Sequence, residues 1–269
     1  MIFSEIYLSA LGIILIGMWA LWIISVILKN VSIVDLFWGV GVAAVAWIYF
    51  ALSEGYETRK LLVAALATIW GARLSLYLAR RNIGKGEDFR YRASRERYGK
   101  KYWWLSFFQT FIFQGIGMWI ISIPLLVAQF NATPSRLTVL DIAGVVVWGV
   151  GFYFEAVGDW QLMRFKADPE NKGKLLDAGL WRYTRHPNYF GDAAVWWGYF
   201  LIAAATPDGW MTVYAPLLMT FLLVRVFGAA QIERTLKASK PGYAEYVART
   251  SAFIPLPPRK ITVKSADKS

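Results

Sequence analysis

One run of the sequence, Phe154–Phe200, carries most of the residue types that could do chemistry. Within it, Glu155, Asp159 and Lys166 are spaced by four and seven residues, so a helix would present all three on one face. Carboxylates can accept hydrogen bonds from ribose or carboxamide groups, whereas Lys and Arg can hold phosphates. The spacing therefore predicts one polar helix face. Capping of the C-terminal helix dipole and a cytoplasmic bias of basic residues would account for Lys166, but not for Glu155 and Asp159.

A second polar group surrounds Pro187, a residue typical of the first turn of a helix. Backbone N–H groups at a helix start bind anions, and basic side chains precede this one. The residues gathered there are Arg182, Arg185, His186, Asn188, Tyr189 and Asp192. A phosphate fits this position. His186 has two interpretations, a phosphate or amide contact and a purely structural hydrogen-bonding group.

The composition excludes several kinds of site. Cysteine is absent and His186 is the single histidine among 269 residues, so thiolate catalysis, iron–sulfur clusters and metal sites are not expected. Neither a G-x-G-x-x-G nor a Walker sequence occurs. A bound nucleotide would therefore have to be held by helix ends and side chains.

Hydropathy predicts the elements that position these residues. Hydrophobic residues make up 57% of the chain, which is too apolar for an ordinary soluble protein. About 20 apolar residues in a helix span a bilayer. Seven stretches approach that length: Ile6–Leu28, Val31–Leu52, Leu61–Ala79, Leu105–Ala128, Val139–Met163, Tyr189–Ala205 and Trp210–Ile232. The predicted fold is all-α, a polytopic membrane protein with seven transmembrane helices.

Charge predicts the orientation of these spans, because cytoplasmic loops retain Lys and Arg. Most of the 29 basic residues lie in three segments that seven alternating spans place on one side, Arg80–Lys101, Arg164–Pro187 and the chain from Arg225 onward. The opposite loops carry only Arg59, Lys60 and Arg136. The N-terminus is therefore predicted to lie outside and the C-terminus in the cytoplasm.

Ionisable residues inside the spans are costly unless they are paired, solvated or turned toward a cavity, so they indicate functional positions. These residues are Asp35, Arg73, Asp141, Glu155, Asp159, Asp192 and Arg225. Asp141 lies near the outer end of its span and is expected to be a solvated helix terminus. The others lie nearer the cytoplasmic halves of their helices, which predicts a polar pocket open to the cytoplasm and built at least from the fifth to seventh spans.

Longer strings carry a resemblance to a known family. The string GLWRYTRHPNYFGD is preceded by D-x-Q at Asp159–Gln161 and by FKADPEN, and PGYAEYVARTSAFIPLPP follows near the C-terminus. Together they resemble the C-terminal half of the steroid 5α-reductase and sterol reductase superfamily, in particular its bacterial branch of seven-span proteins. The resemblance covers roughly Tyr153–Pro258. The amino-terminal half is similar only in span count and in the string SIVDLFWG.

The resemblance implies an activity and a cofactor. Members of the superfamily reduce carbon–carbon double bonds of lipophilic substrates with NADPH, which is held between the last three helices and opens to the cytoplasm. By position, it assigns cofactor binding to Arg73, Tyr77, Asp159, Lys166, Asn188, Asp192 and Arg225. Glu155, Gln161, Arg182, Arg185, His186 and Tyr189 complete the predicted cofactor-binding set.

It also implies a division of the chain. Residues 1–130, with four spans, are expected to form the lipid substrate cavity, and residues 131–258, with three, to bind the cofactor. Residues 259–269 are expected to be disordered. The expected setting is a bacterial inner membrane, with the cofactor site facing the cytoplasm. The expected partners are a lipophilic small-molecule substrate and membrane lipid, without nucleic acid, and the oligomeric state stays open.

Asp35 aligns with a glutamate that, in the reductases, polarises the enone carbonyl together with a tyrosine. The position of that tyrosine holds Trp70, whose indole donates a hydrogen bond but is not a proton acid. Asp35 and Trp70 are therefore the predicted catalytic residues, with Asp35 in its protonated form. The alternative for Asp35 is an ion pair with Arg73 that only fixes two helices.

Two other functions stay open. Methyltransferases of the isoprenylcysteine type, which use S-adenosylmethionine, also carry an RHPxY-like motif before a membrane helix. The stretch D-x-Q-x-x-x-F-K and the GD after the motif favour a reductase. A non-enzymatic membrane scaffold would leave the carboxylates Glu155, Asp159 and Asp192 without a reason to be inside the membrane.

Overall fold

The computed structural model describes residues 1–227 and 241–259. Every regular element among these residues is helical, and the only strand-like pairing they contain is one isolated bridge between Thr184 and Ser251. The predicted all-α class is confirmed. The tail that was expected to be disordered lies outside the described residues, apart from Arg259.

The described α-helices are α1 Phe3–Leu28, α2 Ile33–Leu52, α3 Glu57–Asn82, α4 Phe89–Tyr98, α5 Tyr102–Ser106, α6 Phe113–Ile121, α7 Ile123–Phe130, α8 Val139–Ala167, α9 Pro187–Ala204, α10 Tyr214–Phe221 and α11 Tyr243–Arg249. Short 3₁₀ turns lie at Gly99–Lys101, Pro169–Asn171, Gly179–Arg182 and Gly209–Val213. Wider π-helical turns lie at Phe107–Ile112 and Leu222–Phe227, and the first of them joins α5 to α6.

Five helical stretches are long and apolar enough to cross a membrane. They are α1, α2, α3, the stretch Phe89–Phe130 that contains α4 to α7, and α8. This content fits an integral membrane protein. The sixth predicted span corresponds to α9, a helix of 18 residues. The seventh begins with the shorter apolar helix Gly209–Arg225, and its predicted end at Ile232 lies outside the described residues.

The chain divides into two compact units. The first contains Met1–Val145 and Gly198–Pro216, and the second contains Val146–Trp197 and Leu217–Ser269. In the first unit, α2 and α3 approach closely, because a Cβ atom added at Gly39 would meet the carbonyl oxygen of Gly71, and the reverse also holds. Glycine at both positions therefore permits this helix pairing.

A buried ion pair joins α3 to α8 in the first unit. Arg59 and Asp141 are 0% and 1% exposed, and two hydrogen bonds of 2.7 and 3.1 Å connect their side chains. The guanidinium of Arg59 also donates to the carbonyl oxygens of Pro134 and Arg136, while Asp141 accepts from Thr138. The expectation that Asp141 is a solvated helix terminus was wrong. Its charge is balanced by an arginine 82 positions earlier, a pairing that local spacing could not indicate.

Candidate functional site

In the second unit, glycines let α8 and α9 approach closely. A Cβ atom added at Gly151 would meet the backbone of Gly191, and one at Gly191 would meet the backbone of Glu155. A Cβ atom at Gly158 would lie 3.1 Å from the ring of Pro187. Side chains at these positions would push the helices apart. The close approach sets the carboxylates of α8 beside the first turn of α9.

Five of the predicted cofactor residues lie together at this point and form the motif cluster: Glu155, Asp159, His186, Asn188 and Tyr189. Asp159 is buried and accepts a hydrogen bond of 3.1 Å from the side-chain amide of Asn188. The oxygen of that amide accepts from the backbone N–H of Tyr189, whose ring stacks on His186 at 5.5 Å. Glu155, one turn before Asp159, is buried as well.

The GLWR turn after α8 is tied back to that helix. The side-chain oxygen of Gln161 accepts from the backbone N–H of Leu180 at 3.0 Å, and the indole of Trp181 donates to the carbonyl of Gly158 at 3.1 Å. Gly179 has a φ of 61°, and a side chain there would meet the amide of Gln161. Glycine is thus required by both backbone and space, and Gln161 positions this loop.

A second set of hydrogen bonds joins the RHP motif to residues 246–256, which we term the C-terminal clasp. The hydroxyl of Tyr246 donates to the carbonyl of Trp181 at 2.5 Å, and the guanidinium of Arg185 donates to the carbonyl of Thr250 at 2.7 Å. Burial raises the pKa of Tyr246, so its hydroxyl remains a donor. Further bonds join Arg185 N–H to Ser251, the Thr184 hydroxyl to Phe253 and Leu256 N–H to Tyr183, and Arg249 pairs with Asp177.

A cavity of about 350 Å³ lies at the C-terminal end of α8. Its lining combines cations with aromatic rings: Lys166, Lys172, Lys174, Arg185, Phe165, Trp181, Tyr243 and Tyr246. Asp168, which also lines it, accepts from the backbone of Glu170 and the amide of Asn171. Since Trp181 donates to Gly158, this wall is fixed to the helix turn that carries Asp159. Such a lining suits a ligand that combines phosphate with a planar ring.

The other predicted residues belong to other elements of the chain. Arg73 and Tyr77 belong to α3 in the first unit, where the guanidinium carbon of Arg73 lies 5.4 Å from the centre of the Tyr77 ring. Trp70, the predicted catalytic indole, is buried in the same helix. In the second unit, Arg182, Asp192 and Arg225 complete the predicted set, and both arginines are exposed.

The first unit holds a polar chain that ends at Asp35. We term the Asp35 cluster the five residues Asp35, Trp38, Arg90, Tyr91 and Gln114. Arg90 and the hydroxyl of Tyr91 each donate to one oxygen of Asp35, both at 2.7 Å. Gln114 donates to the hydroxyl oxygen of Tyr91 at 3.2 Å and accepts from the indole of Trp38 at 2.6 Å.

The donors of this chain all point toward Asp35. An indole N–H can only donate, so the oxygen of Gln114 faces Trp38 and its NH₂ group faces Tyr91. The Tyr91 oxygen therefore accepts from Gln114, and its own proton is directed at Asp35. With Arg90 as second donor, Asp35 has the surroundings of a carboxylate. Among the side chains of the Asp35 cluster, the Tyr91 hydroxyl holds the proton that can be transferred.

Two acids hold α4 at the start of α2 and so bring Arg90 and Tyr91 to Asp35. Glu87 accepts two hydrogen bonds of 2.8 Å from Arg95 and one from the backbone just before α2. Asp88 caps α4 and accepts from the side chain of Arg90. Burial alone would raise the pKa of each carboxyl, but these hydrogen bonds lower both pKa values below their ordinary range.

Comparison with known proteins gives the family. The sequence model of a family described as a protein of unknown function, DUF1295, matches residues 21–250. The chain belongs to the DUF1295 family. An uncharacterized protein of Schizosaccharomyces pombe is 27% identical over 263 residues, which cover 87% of this chain and 75% of that protein. No solved structure matches. The part matched by the DUF1295 family includes both the Asp35 cluster and the motif cluster.

Sequence reasoning about this DUF1295 protein did not find Arg90, Tyr91 or Gln114. Tyr91 lies 56 positions after Asp35, so no helical or turn spacing connects the two. The one available signal was a pair of acids, Glu87 and Asp88, within a strongly basic stretch, because such a pattern indicates local ion pairs. That signal predicts pairing within the loop and gives no indication of Asp35.

Proposed function

We propose that this DUF1295 protein is a membrane-embedded, NADPH-dependent reductase of a carbon–carbon double bond in a lipophilic enone, steroid-like or isoprenoid-like. The observation that carries the proposal is the cavity of about 350 Å³ with its cations and rings, fixed through Trp181 to the helix turn of the buried Asp159, which is paired with Asn188. The resemblance to the steroid 5α-reductase and sterol reductase superfamily supplies the reaction class.

The residues present fit a phosphorylated dinucleotide. Lys166, Lys172, Lys174 and Arg185 would hold phosphates, and the ring of Trp181 offers a stacking surface. Ligand pockets usually measure roughly 300 to 1,000 Å³, so this cavity would accommodate one part of the cofactor.

The motif cluster supplies the complementary contacts. The Asp159 carboxylate would accept hydrogen bonds from ribose or carboxamide groups, and Asn188 holds that carboxylate in place. Arg73, Tyr77, Asp192 and Arg225 are assigned to the cofactor by the resemblance. When bound, NADPH supplies a hydride to the substrate.

Reduction of an enone also requires a proton. We assign its donation to Tyr91, because Asp35 is surrounded as a carboxylate and Trp70 has no acidic proton. On substrate binding the hydroxyl would turn its proton from Asp35 to the substrate carbonyl, polarise that carbonyl and transfer the proton to the substrate. Gln114 donates to the same oxygen and the Arg90 guanidinium lies 5.3 Å from the ring centre, so both stabilise the negative charge left on Tyr91. Asp35 then orients Tyr91.

The proposal includes a topology. Seven spans with the N-terminus outside and the C-terminus in the cytoplasm follow from the distribution of basic residues, and α9 and the helix beginning at Gly209 would supply the last two. The cofactor residues would then face the cytoplasm, where NADPH is found. A bacterial inner membrane is the corresponding setting.

The deciding experiment is thermal unfolding of the detergent-purified chain with NADPH, NADH or S-adenosylmethionine. NADPH at 100 times its dissociation constant should add about 2.7 kcal/mol to the free energy of unfolding. NADH should bind more weakly, since it lacks the 2′-phosphate that Arg182 or Arg185 could hold. Stabilisation by S-adenosylmethionine alone would instead indicate the methyltransferase.

One variant tests the location of the cofactor. Asp159→Ala leaves Asn188 and the nucleotide without an acceptor, so NADPH affinity should fall by the equivalent of about 1 to 3 kcal/mol. Glu170→Ala removes an exposed acid of the same unit and serves as the matched control. If Asp159→Ala titrates like the control, the cofactor does not bind at the motif cluster.

A further inference from the structure

The segment between α3 and the apolar part of Phe89–Phe130 presents a dense array of cations. We define the cationic surface as Lys85, Arg92, Arg97, Lys100 and Lys101, all of which are exposed. Arg92 and Arg97 lie on the outer face of α4, and the two lysines follow directly after it.

The acids of this segment do not neutralise the cationic surface. Glu87 and Asp88 are turned inward to Arg95 and Arg90, which are outside the set. In the part of the chain that the structure describes, no carboxylate forms an ion pair with any of the five cations. Glu96 is the exposed acid beside them. The surface therefore keeps a strong excess of positive charge.

Exposed aromatic side chains flank the same surface. Phe89, at the start of α4, is 65% exposed, and Trp103 and Trp104 are exposed immediately before an apolar helical stretch. The Trp22 indole, in the second-last turn of α1, donates to the carbonyl of Trp103 at 2.8 Å, which connects Trp103 to the C-terminal part of a second membrane-length helix. Exposed tryptophans at helix ends are typical of the boundary between hydrocarbon and headgroups.

We propose that the cationic surface binds the headgroups of anionic phospholipids in the leaflet at which it lies. Arg92 and Arg97 are already held in place by the folded α4, so their backbone needs little further ordering when they contact lipid phosphates. Clusters of four or more Lys and Arg beside a transmembrane helix attract anionic lipid strongly, whereas zwitterionic headgroups carry no net charge. This inference is independent of the proposed reductase activity.

The experiment uses the absence of cysteine from the chain. Ala93→Cys on the exposed face of α4 accepts a single fluorophore, and the labelled full-length protein is reconstituted into phosphatidylcholine nanodiscs. The discs contain a small, equal fraction of quencher-labelled phosphatidylglycerol or quencher-labelled phosphatidylcholine. We expect roughly threefold or greater enrichment of phosphatidylglycerol at the label, decreasing at 1 M salt, where the Debye length is only about 3 Å.

A matched pair of variants assigns the effect. Lys100→Gln with Lys101→Gln should bring the enrichment close to that of phosphatidylcholine. Arg136→Gln with Arg259→Gln removes the same charge from exposed positions outside the cationic surface. This second pair should leave the phosphatidylglycerol enrichment unchanged. Equal quenching by the two lipids in the parent would overturn the proposal, as would an equal loss in both variant pairs. Quenching relieved by soluble DNA, without preference for either lipid, would identify a nucleic-acid surface and also overturn it.

Discussion

Two Arg–Asp pairs of the first unit differ in almost everything except residue type. Arg59 and Asp141 are 0% and 1% exposed and satisfy each other twice, with backbone carbonyls taking the remaining donors. Arg90 and Asp35 are 33% and 15% exposed and share a single hydrogen bond. The second oxygen of Asp35 receives a phenol proton instead of a second guanidinium proton.

The difference separates a structural role from the chemical role that we propose for the Asp35 cluster. A fully buried carboxylate whose acceptors are taken by one arginine and by the backbone N–H and hydroxyl of Thr138 serves to hold helices together. Asp35 is less deeply buried, and its second donor is a phenol, whose proton is far more acidic than that of the Thr138 hydroxyl beside Asp141. The burial of a carboxylate and the type of its second hydrogen-bond donor are therefore better indicators of function than the presence of an ion pair inside a span.

The largest effect should follow from removing the phenol of Tyr91. Tyr91→Phe keeps the ring but removes the proton, so turnover of lipophilic enones, assayed with a 4-ene-3-oxosteroid and an isoprenoid enone, should fall by roughly 10² to 10⁴. Stabilisation by NADPH should persist. Tyr98→Phe, on the same helix, is the matched control. Undiminished turnover in Tyr91→Phe would assign the proton to another group and leave the Asp35 cluster with a structural role.

The structural pair should be tested through stability. Arg59→Leu leaves the carboxylate of Asp141 buried without its partner, so the free energy of unfolding in detergent should decrease by about 3 to 5 kcal/mol. Adding Asp141→Leu removes the stranded charge and should recover a large part of that loss. If Arg59→Leu lowered the free energy of unfolding by less than about 1 kcal/mol, the Arg59–Asp141 pair would not have the structural role inferred from its burial.

Breaking the other pair should cost less. Arg90→Gln removes a side chain that is one third exposed and leaves Asp35 its hydrogen bond from Tyr91, so the loss of stability should stay at about 1 kcal/mol. Under the proposed function turnover should nevertheless decrease, because Arg90 donates to Asp35, which is proposed to orient Tyr91. Equal destabilisation by Arg90→Gln and Arg59→Leu in the same unfolding assay would show that the two ion pairs contribute equally to stability.

The smallest expected effect is a loosening of α4 at low pH, where Glu87 and Asp88 become protonated. The pKa values of Glu87 and Asp88 are lowered in the folded protein, so their stabilisation is complete above the unfolded values of 4.5 and 3.8 and is lost as the pH falls through the folded values. A spin label at Ala93→Cys should therefore become more mobile as the pH falls below about 4.5. Glu87→Gln should show increased mobility already at pH 7 and a weaker pH response.

Local pattern accounts for the part of this molecule that could be predicted. Hydropathy alone indicated the helices, because apolar length is a local property, and the motif residues near Pro187 follow one another along a single loop and helix start. The partners of Asp35 and Asp141 lie 55 and 82 positions away. Such pairings depend on how the helices pack, and a single sequence carries no spacing that identifies them. The resemblance aligned Trp70 with the tyrosine of the reductases, whereas the phenol that contacts Asp35 is that of Tyr91 on α4.

The C-terminal clasp has a consequence for biosynthesis. The bonds that fix Trp181 and Arg185 come from residues made 65 positions later. A ribosome that has just completed the RHP motif has not yet made Tyr246 or Thr250, so the nascent chain cannot complete the cavity at the end of α8. Products cut short before the clasp should therefore lack a finished cavity at the end of α8.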